Sequence, residues 1–236
     1  MGAKVNQIGK QSEIVLSHTG KLGDFLYCLQ IASWLTRIRG CKIHWVLPST
    51  FNPFNYISDL LMMQPFTSRV SIVPFKIENF DCGGQPYKFN PADFGIEVEY
   101  YNFGFRHYPD KYVSAFYAEE HGFGYDVDYR IKLWSDADAG LINKTDEVLR
   151  SSEGAMAKLV PHAIPMGTHE DLLTLTQRMQ AAKEVHTWFC GLAILCWMSS
   201  IPVTVHRVPG HAWIPTYYEG DYSYVTFVEH QESEVR

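Results

Sequence analysis

The stretch from Glu13 to Leu47 constrains the fold more than any other part of the chain. Glu13 to Ser17 (EIVLS) is short, apolar and β-branched, and His18-Thr19-Gly20-Lys21-Leu22-Gly23-Asp24 follows it with turn chemistry. From Asp24 onward, Phe25, Cys28, Leu29, Ala32, Leu35 and Ile38 recur at helical spacing, and Gly40 marks the stop. Lys42 to Leu47 is a second strand closed by Pro48. Strand, glycine loop, helix and strand in direct succession make a βαβ unit, whose crossover is right-handed in a parallel sheet. The chain opens as a doubly wound α/β fold.

Alternation of the same kind continues downstream. The pattern predicts a helix at Tyr56 to Met63, a strand at Val70 to Pro74, a strand at Ile96 to Tyr101 and a helix at Lys111 to His121 ended by Gly122. Glu78 to Pro91 is a Gly/Asn/Pro-rich loop, Tyr129 to Trp134 is extended, and Ser135 to Ser152 is polar with a helical stretch at Ala139 to Leu149. The apolar run Ala155 to Val160 is expected as a strand. Thr168 to Asp171 resembles a capping box ahead of a helix from Asp171 to Lys183, whose stripe is Leu172, Leu175, Met179 and Ala182. Thr187 to Cys190 then predicts a strand, Gly191 to Ser199 a helix and Pro202 to Arg207 a final strand, with Glu229 to Arg236 frayed.

Bulk properties narrow the function classes. With 236 residues, 46% of them hydrophobic, the chain can bury a core without staples. Five cysteines, odd in number and without CxxC spacing, point to neither a disulfide framework nor a zinc ribbon. A net charge of -6 and a pI near 5.9 argue against a broad grip on nucleic acid, which needs clustered Lys and Arg. Met1 to Gln11 lacks the apolar stretch of a secretory signal, and no run approaches the roughly 20 apolar residues of a membrane span, so the expected location is the cytoplasm.

In an open α/β sheet, ligands bind outside the carboxyl ends of the strands, where loops meet helix N-termini. His18 to Asp24 occupies that place. Gly20 and Gly23 allow close backbone approach, and the N–H groups at the helix start favour an anion. Asp24 has two open roles: capping the helix, worth on the order of 1 kcal/mol, or acting as general base on a bound hydroxyl. The GxxG spacing falls short of a GxGxxG dinucleotide fingerprint, so a nicotinamide cofactor is not indicated and no cofactor is expected.

The run from His18 to Leu29 (HTGKLGDFLYCL) resembles the start of the ADP-heptose:lipopolysaccharide heptosyltransferase family. A second similarity lies at Gly122 to Arg150, which looks like that family's lobe linker, and a third at Leu172 to Val205, which looks like its last helix–strand–helix–strand segment. The resemblance implies two Rossmann-like lobes with parallel sheets (GT-B type): an acceptor lobe at 1–134, a linker at 135–150 and a reduced C-terminal lobe at 151–236. It implies transfer of a sugar from a nucleotide-sugar donor to an acceptor hydroxyl. Asp24 takes the role of catalytic base, and His18, Thr19, Gly20, Lys21, Gly23, Cys190, Gly191 and Leu192 line the substrate sites. There are departures. The family's Asp-Ser/Thr-Gly turn and following His, which hold donor phosphates, correspond here to Phe189, Cys190 and Ile194. The stretch between Val160 and Asp171 also leaves little room for the family's middle elements. These departures favour the alternative, a catalytically degenerate module that binds a ligand or partner. Sugar transfer to a nucleic-acid base is a third possibility, against which the acidic pI weighs.

Other features carry weaker signals. Asp136-Ala-Asp138 and Asp126-Val-Asp128 match the DxD of metal-dependent transferases, but paired acids recur by chance. His162, His169, His186, His206 and His211 form neither HxH nor HExxH, so no metal is expected. Glu119-Glu120 suits an exposed helix face, and Lys21 and Arg106-His107 a solvated surface. Cys190 precedes a helix without a readable base partner, which suits a small buried hydrophobe. The sequence leaves the oligomeric state open.

Overall fold

The computed structural model describes residues 12–18, 22–49, 56–73, 99–103, 113–126, 132–133, 142–152, 154–167, 170–188, 190–207 and 223–235. The first sheet contains β1 (Glu13–His18), β2 (Lys42–Pro48), β3 (Thr67–Val73) and β4 (Tyr100–Phe103), all parallel and ordered β3-β2-β1-β4. Its helices are α1 (Leu22–Arg39), α2 (Ser58–Met62) and α3 (Val113–Glu120). The second sheet contains β5 (Val148–Arg150), β6 (Ile164–Pro165), β7 (Glu184–Trp188), β8 (Val203–Arg207) and β9 (Val225–Glu229). It too is parallel, ordered β6-β5-β7-β8-β9. Its helices are α4 (Gly154–Leu159), α5 (Leu172–Ala181), α6 (Gly191–Met198) and α7 (Glu232–Val235). The chain is a two-sheet, Rossmann-like α/β protein.

The first βαβ unit forms for the reasons legible in its residues. Ile14, Leu16, Ile43, Trp45 and Leu47 turn to one face of the first sheet and are buried there, with Phe25 of α1 meeting Trp45 edge-on at 5.2 Å. Asp24 in the first turn of α1, and Arg37 and Arg39 in its last, complement the helix dipole. Gly40 ends the helix at φ 64°, a left-handed position that glycine accepts without cost, and its N–H donates to the Thr36 carbonyl at 3.0 Å. Every residue from Asp24 to Ala32 is buried. A helix buried on all sides needs cover on all sides. The first sheet covers one side of α1, and α3 and α6 cover others.

The α6 contact is the closest. A Cβ on Gly191 would stand 3.0 Å from the Gly23 amide nitrogen and 3.3 Å from Leu22 Cβ, and a Cβ on Gly23 would stand 3.3 Å from Gly191 Cα. The two glycines let two backbones touch at the first turns of their helices. Further along, Tyr27 and Trp197 rings lie 6.3 Å apart, so the helices run side by side in the same sense. One apolar cluster joins residues of both sheets through this contact. Two backbone bonds also cross between the halves: Leu133 N–H to the Met198 carbonyl and Leu172 N–H to the Tyr56 carbonyl, both 2.8 Å.

Several elements differ from the sequence expectation. The helix expected at Ala139 to Leu149 is absent from residues 142–147, and Val148–Arg150 is instead β5, inside the segment assigned to the linker. The expected strand at Ala155 to Val160 is helix α4, because Met156, Val160 and Ala163 must share one buried face. At α5 the cap is Asp171 itself, whose carboxylate accepts from Leu173 N–H at 2.9 Å and Thr174 N–H at 3.0 Å, rather than the acidic partner that closes a box begun at Thr168. β8 is not the last strand, since β9 follows it, and α7 occupies half of the Glu229 to Arg236 tail expected to fray. Among the described residues the second sheet has five strands, of which β5 is three residues long and β6 two.

Replacing Gly191 with alanine should lower stability in urea unfolding by about 1–3 kcal/mol, the range for overpacking a close contact. Alanine at Gly154, where an added Cβ meets nothing within 4 Å, should change stability by no more than about 0.5 kcal/mol.

Candidate active site at the paired helix starts

In the first sheet the strand order reverses between β1 and β4, and in the second between β5 and β7. Such reversals open a crevice at the carboxyl ends of the strands. β1 ends at His18 and leads into α1, and β7 ends at Trp188 and leads, through Cys190, into α6. The glycine contact therefore sets side by side the two helix starts that follow central strands of the two sheets. Leu22, Gly23, Cys190, Gly191 and Leu192 are all half-buried there.

Of the residues expected in the site, the structure brings together Gly23, Asp24, Cys190, Gly191 and Leu192. Thr19, Gly20 and Lys21 lie outside the described residues, as do Phe189, Arg106, His107, Asp128, Asp136, Asp138, His169 and His211. Asp24 sits in the first turn of α1, past the point where the helix begins at Leu22, so it acts on the dipole from within the turn. Its side of the helix is closely packed, with 6% of the residue exposed. One turn on, burial and then the Asp24 charge push the Cys28 thiol well up, which keeps it protonated and inert.

His18 has a different place from that expected of a surface ligand. It is fully buried, its Nε2 lies 2.9 Å from the Tyr117 hydroxyl, and it packs edge-on to Phe25 and Tyr117. Burial pushes its pKa down to about 3, so the ring is neutral. Ser17 shows a polar network that sequence reasoning missed: its hydroxyl donates to Asn102 Oδ1 at 2.7 Å and lies 3.0 Å from the Tyr100 hydroxyl. Only the β1–β4 register, Ser17 opposite Asn102, brings these residues together.

At α6, Cys190 is the extended cap residue, and Ile194 is buried with its Cδ1 where a Gly23 Cβ would be, 3.0 Å away. Ile194 is thus used for packing between the two helices. Glu119 and Glu120 lie exposed at the end of α3, as expected of a solvated face. No disulfide joins Cys28, Cys41, Cys190 and Cys196. Among the described residues, no cluster of three or more metal-ligating side chains is suited to an ion, and no helix is long and apolar enough to cross a membrane.

The chain has two parallel Rossmann-like sheets joined at their helix starts, a fold similar to that of solved glycosyltransferases. The solved structures it matches are of that class. Heptosyltransferase WaaC of E. coli, solved with ADP, aligns with a TM-score of 0.59 at 11% identity, covering 94% of this chain and 95% of that one. A family 9 glycosyl transferase from Veillonella parvula aligns at 0.56 with 12% identity, covering 93% and 86%. The iron-containing dodecameric glycosyltransferase TibC of enterotoxigenic E. coli aligns at 0.52 with 12% identity, covering 94% and 64%. No protein-family model matches the chain, and no curated protein matches it by sequence. The heptosyltransferase resemblance is therefore upheld at the level of fold.

Because the buried His18 ring resists protonation while an unfolded one titrates near about 6.5, the unfolded state binds more protons below that pH. Stability should therefore fall as pH drops from about 6.5 toward 3, and a His18→Phe variant should flatten that limb in chemical denaturation across pH.

Proposed function

We propose that the protein is a glycosyltransferase, moving a sugar from a nucleotide-sugar donor to an acceptor hydroxyl where the two helix starts meet. The observation that carries this reading is the contact of Gly23 with Gly191 beside Asp24. Two helices aligned in the same sense with their N-termini together concentrate two positive dipole ends, an unfavourable pairing that an anion relieves. A nucleoside diphosphate is an anion of the right kind. WaaC has been solved with ADP and TibC with ADP-D-beta-D-heptose, which supports a sugar diphosphate here as well.

In this reading the acceptor rests on the lobe of residues 1–134 and the donor on that of 151–236. The acceptor oxygen attacks the anomeric carbon as the bond from that carbon to the diphosphate oxygen breaks. The nucleoside diphosphate leaves with the electron pair, held by backbone N–H groups at Cys190, Gly191 and Leu192. Asp24 takes the hydroxyl proton. With Ile194 where a histidine would hold phosphate, the backbone and dipole of α6 carry more of the binding.

Asp24→Asn keeps the shape of the side chain but removes the base, so transfer should fall by roughly 10²–10⁴-fold, with a stability loss of no more than about 1 kcal/mol from the charge removed at the helix start. Thermal shift with ADP and a panel of nucleotide sugars should show stabilisation of about 2.7 kcal/mol at a hundredfold excess over Kd. An Asn variant as active as the parent excludes Asp24 as the base, and no response to any nucleotide or nucleotide sugar points instead to a binding module without chemistry.

A further inference from the structure

Three histidines stand in a row across the second sheet, away from the paired helix starts. Nδ1 of His186 on β7 lies 3.1 Å from Nε2 of His206 on β8, and Nδ1 of His206 lies 2.8 Å from Nε2 of His230, just past β9. Both ends of the row reach a carboxylate. His186 Nε2 is 3.3 Å from Glu184 Oε2, and His230 Nδ1 is 3.5 Å from Glu234 Oε2 on α7. The parallel register makes the row: His186 pairs with Thr204 and His206 with Val228, so each step across the sheet climbs two residues and stays on one face. His206 and His230 rings are stacked with centroids 5.0 Å apart.

Counting hydrogens shows what the row can hold. Each of the two N···N contacts needs one hydrogen and so does the His186–Glu184 contact, three in all, while the His230–Glu234 pair at 3.5 Å becomes an ion pair when the row carries a fourth. Three neutral imidazoles carry three between them. One additional proton satisfies every contact and places a single positive charge between two carboxylates. A second additional proton puts hydrogens on both sides of one N···N contact, and those rings must part.

We propose that this row is a one-proton latch fastening β9 and α7 to the second sheet, closed around a single shared proton and opened by a second. The charged groups around it weigh against the second proton. Arg150 on β5 is the register neighbour of His186 and donates to the Ser151 carbonyl at 3.1 Å. Lys158 is on α4, which packs against β7 and α7. Arg207, next to His206, is paired with Glu229 at 2.6 Å, which leaves Glu184 and Glu234 as the carboxylates at the row's ends. Burial and then the flanking His186 and His230 push His206 down to about 4. An opened histidine titrates near about 6.5, so opening takes up a proton between those limits and is favoured up to about tenfold per pH unit on acidification.

Hydrogen exchange of the full chain, read on peptides covering Val225–Val235 and corrected for intrinsic exchange, tests the latch. Between pH 7 and pH 5 protection of that segment should fall about tenfold or more beyond any change in β1 and β2 peptides. H206F, with a ring that cannot titrate, should lose that excess. Should H206F not fold, the imidazole resonances of the parent chain serve instead: His186, His206 and His230 should shift together in a shared step. Equal excess protection at both pH values, an H206F chain with the parent's pH profile, or three independent titrations near 6.5 would overturn the proposal.

Discussion

The structure depends on two backbones touching at Gly23 and Gly191. Without side chains there, the first turns of α1 and α6 come within van der Waals contact, and the remaining apolar surface of both helices closes over a shared core. Any side chain larger than a hydrogen at either position separates them. That separation would reach β1 and β2 through Phe25 and Trp45, and β8 through the α6 packing, because interiors transmit strain rather than absorb it.

The same contact sets the electrostatics of the candidate site. Like dipole ends side by side repel, and Asp24 in the first turn of α1 offsets part of that repulsion within the protein. A carboxylate in this position stabilises the helix and stands next to the place where an anionic leaving group would sit. His18, held neutral by burial, adds no charge of its own to the balance. Asp24 and the two helix starts therefore define the local field.

Much of this was legible in the residues. The β1–α1–β2 unit, α3, α5, α6 and β8 follow from apolar periodicity and glycine stops, and the resemblance of HTGKLGDFLYCL pointed to the observed two-sheet parallel architecture. What failed has physical reasons. β5 is three residues long and owes its extended state to hydrogen bonds from β6 and β7, which no local pattern encodes. In α4 the run AMAKLV is too short for periodicity to separate helix from strand, although Met156, Val160 and Ala163 carry helical spacing. The histidine row was invisible because 20 and 24 residues separate its successive members, and only strand register aligns them. His18 read as a ligand because its neighbours are loop-like, whereas its own burial follows from being the last residue of a central strand.

A core continuous across both sheets has a consequence for how the molecule is put together. Cut between the sheets, the N-terminal half would present the Leu22, Gly23 and Tyr27 side of α1 to water, and the C-terminal half would expose the face of α6 that carries Gly191, Ile194 and Trp197. Neither fragment could be produced alone as a soluble piece, and the halves are expected to melt in a single cooperative event. Any relative motion of the two sheets must then pivot about the contact of α1 with α6.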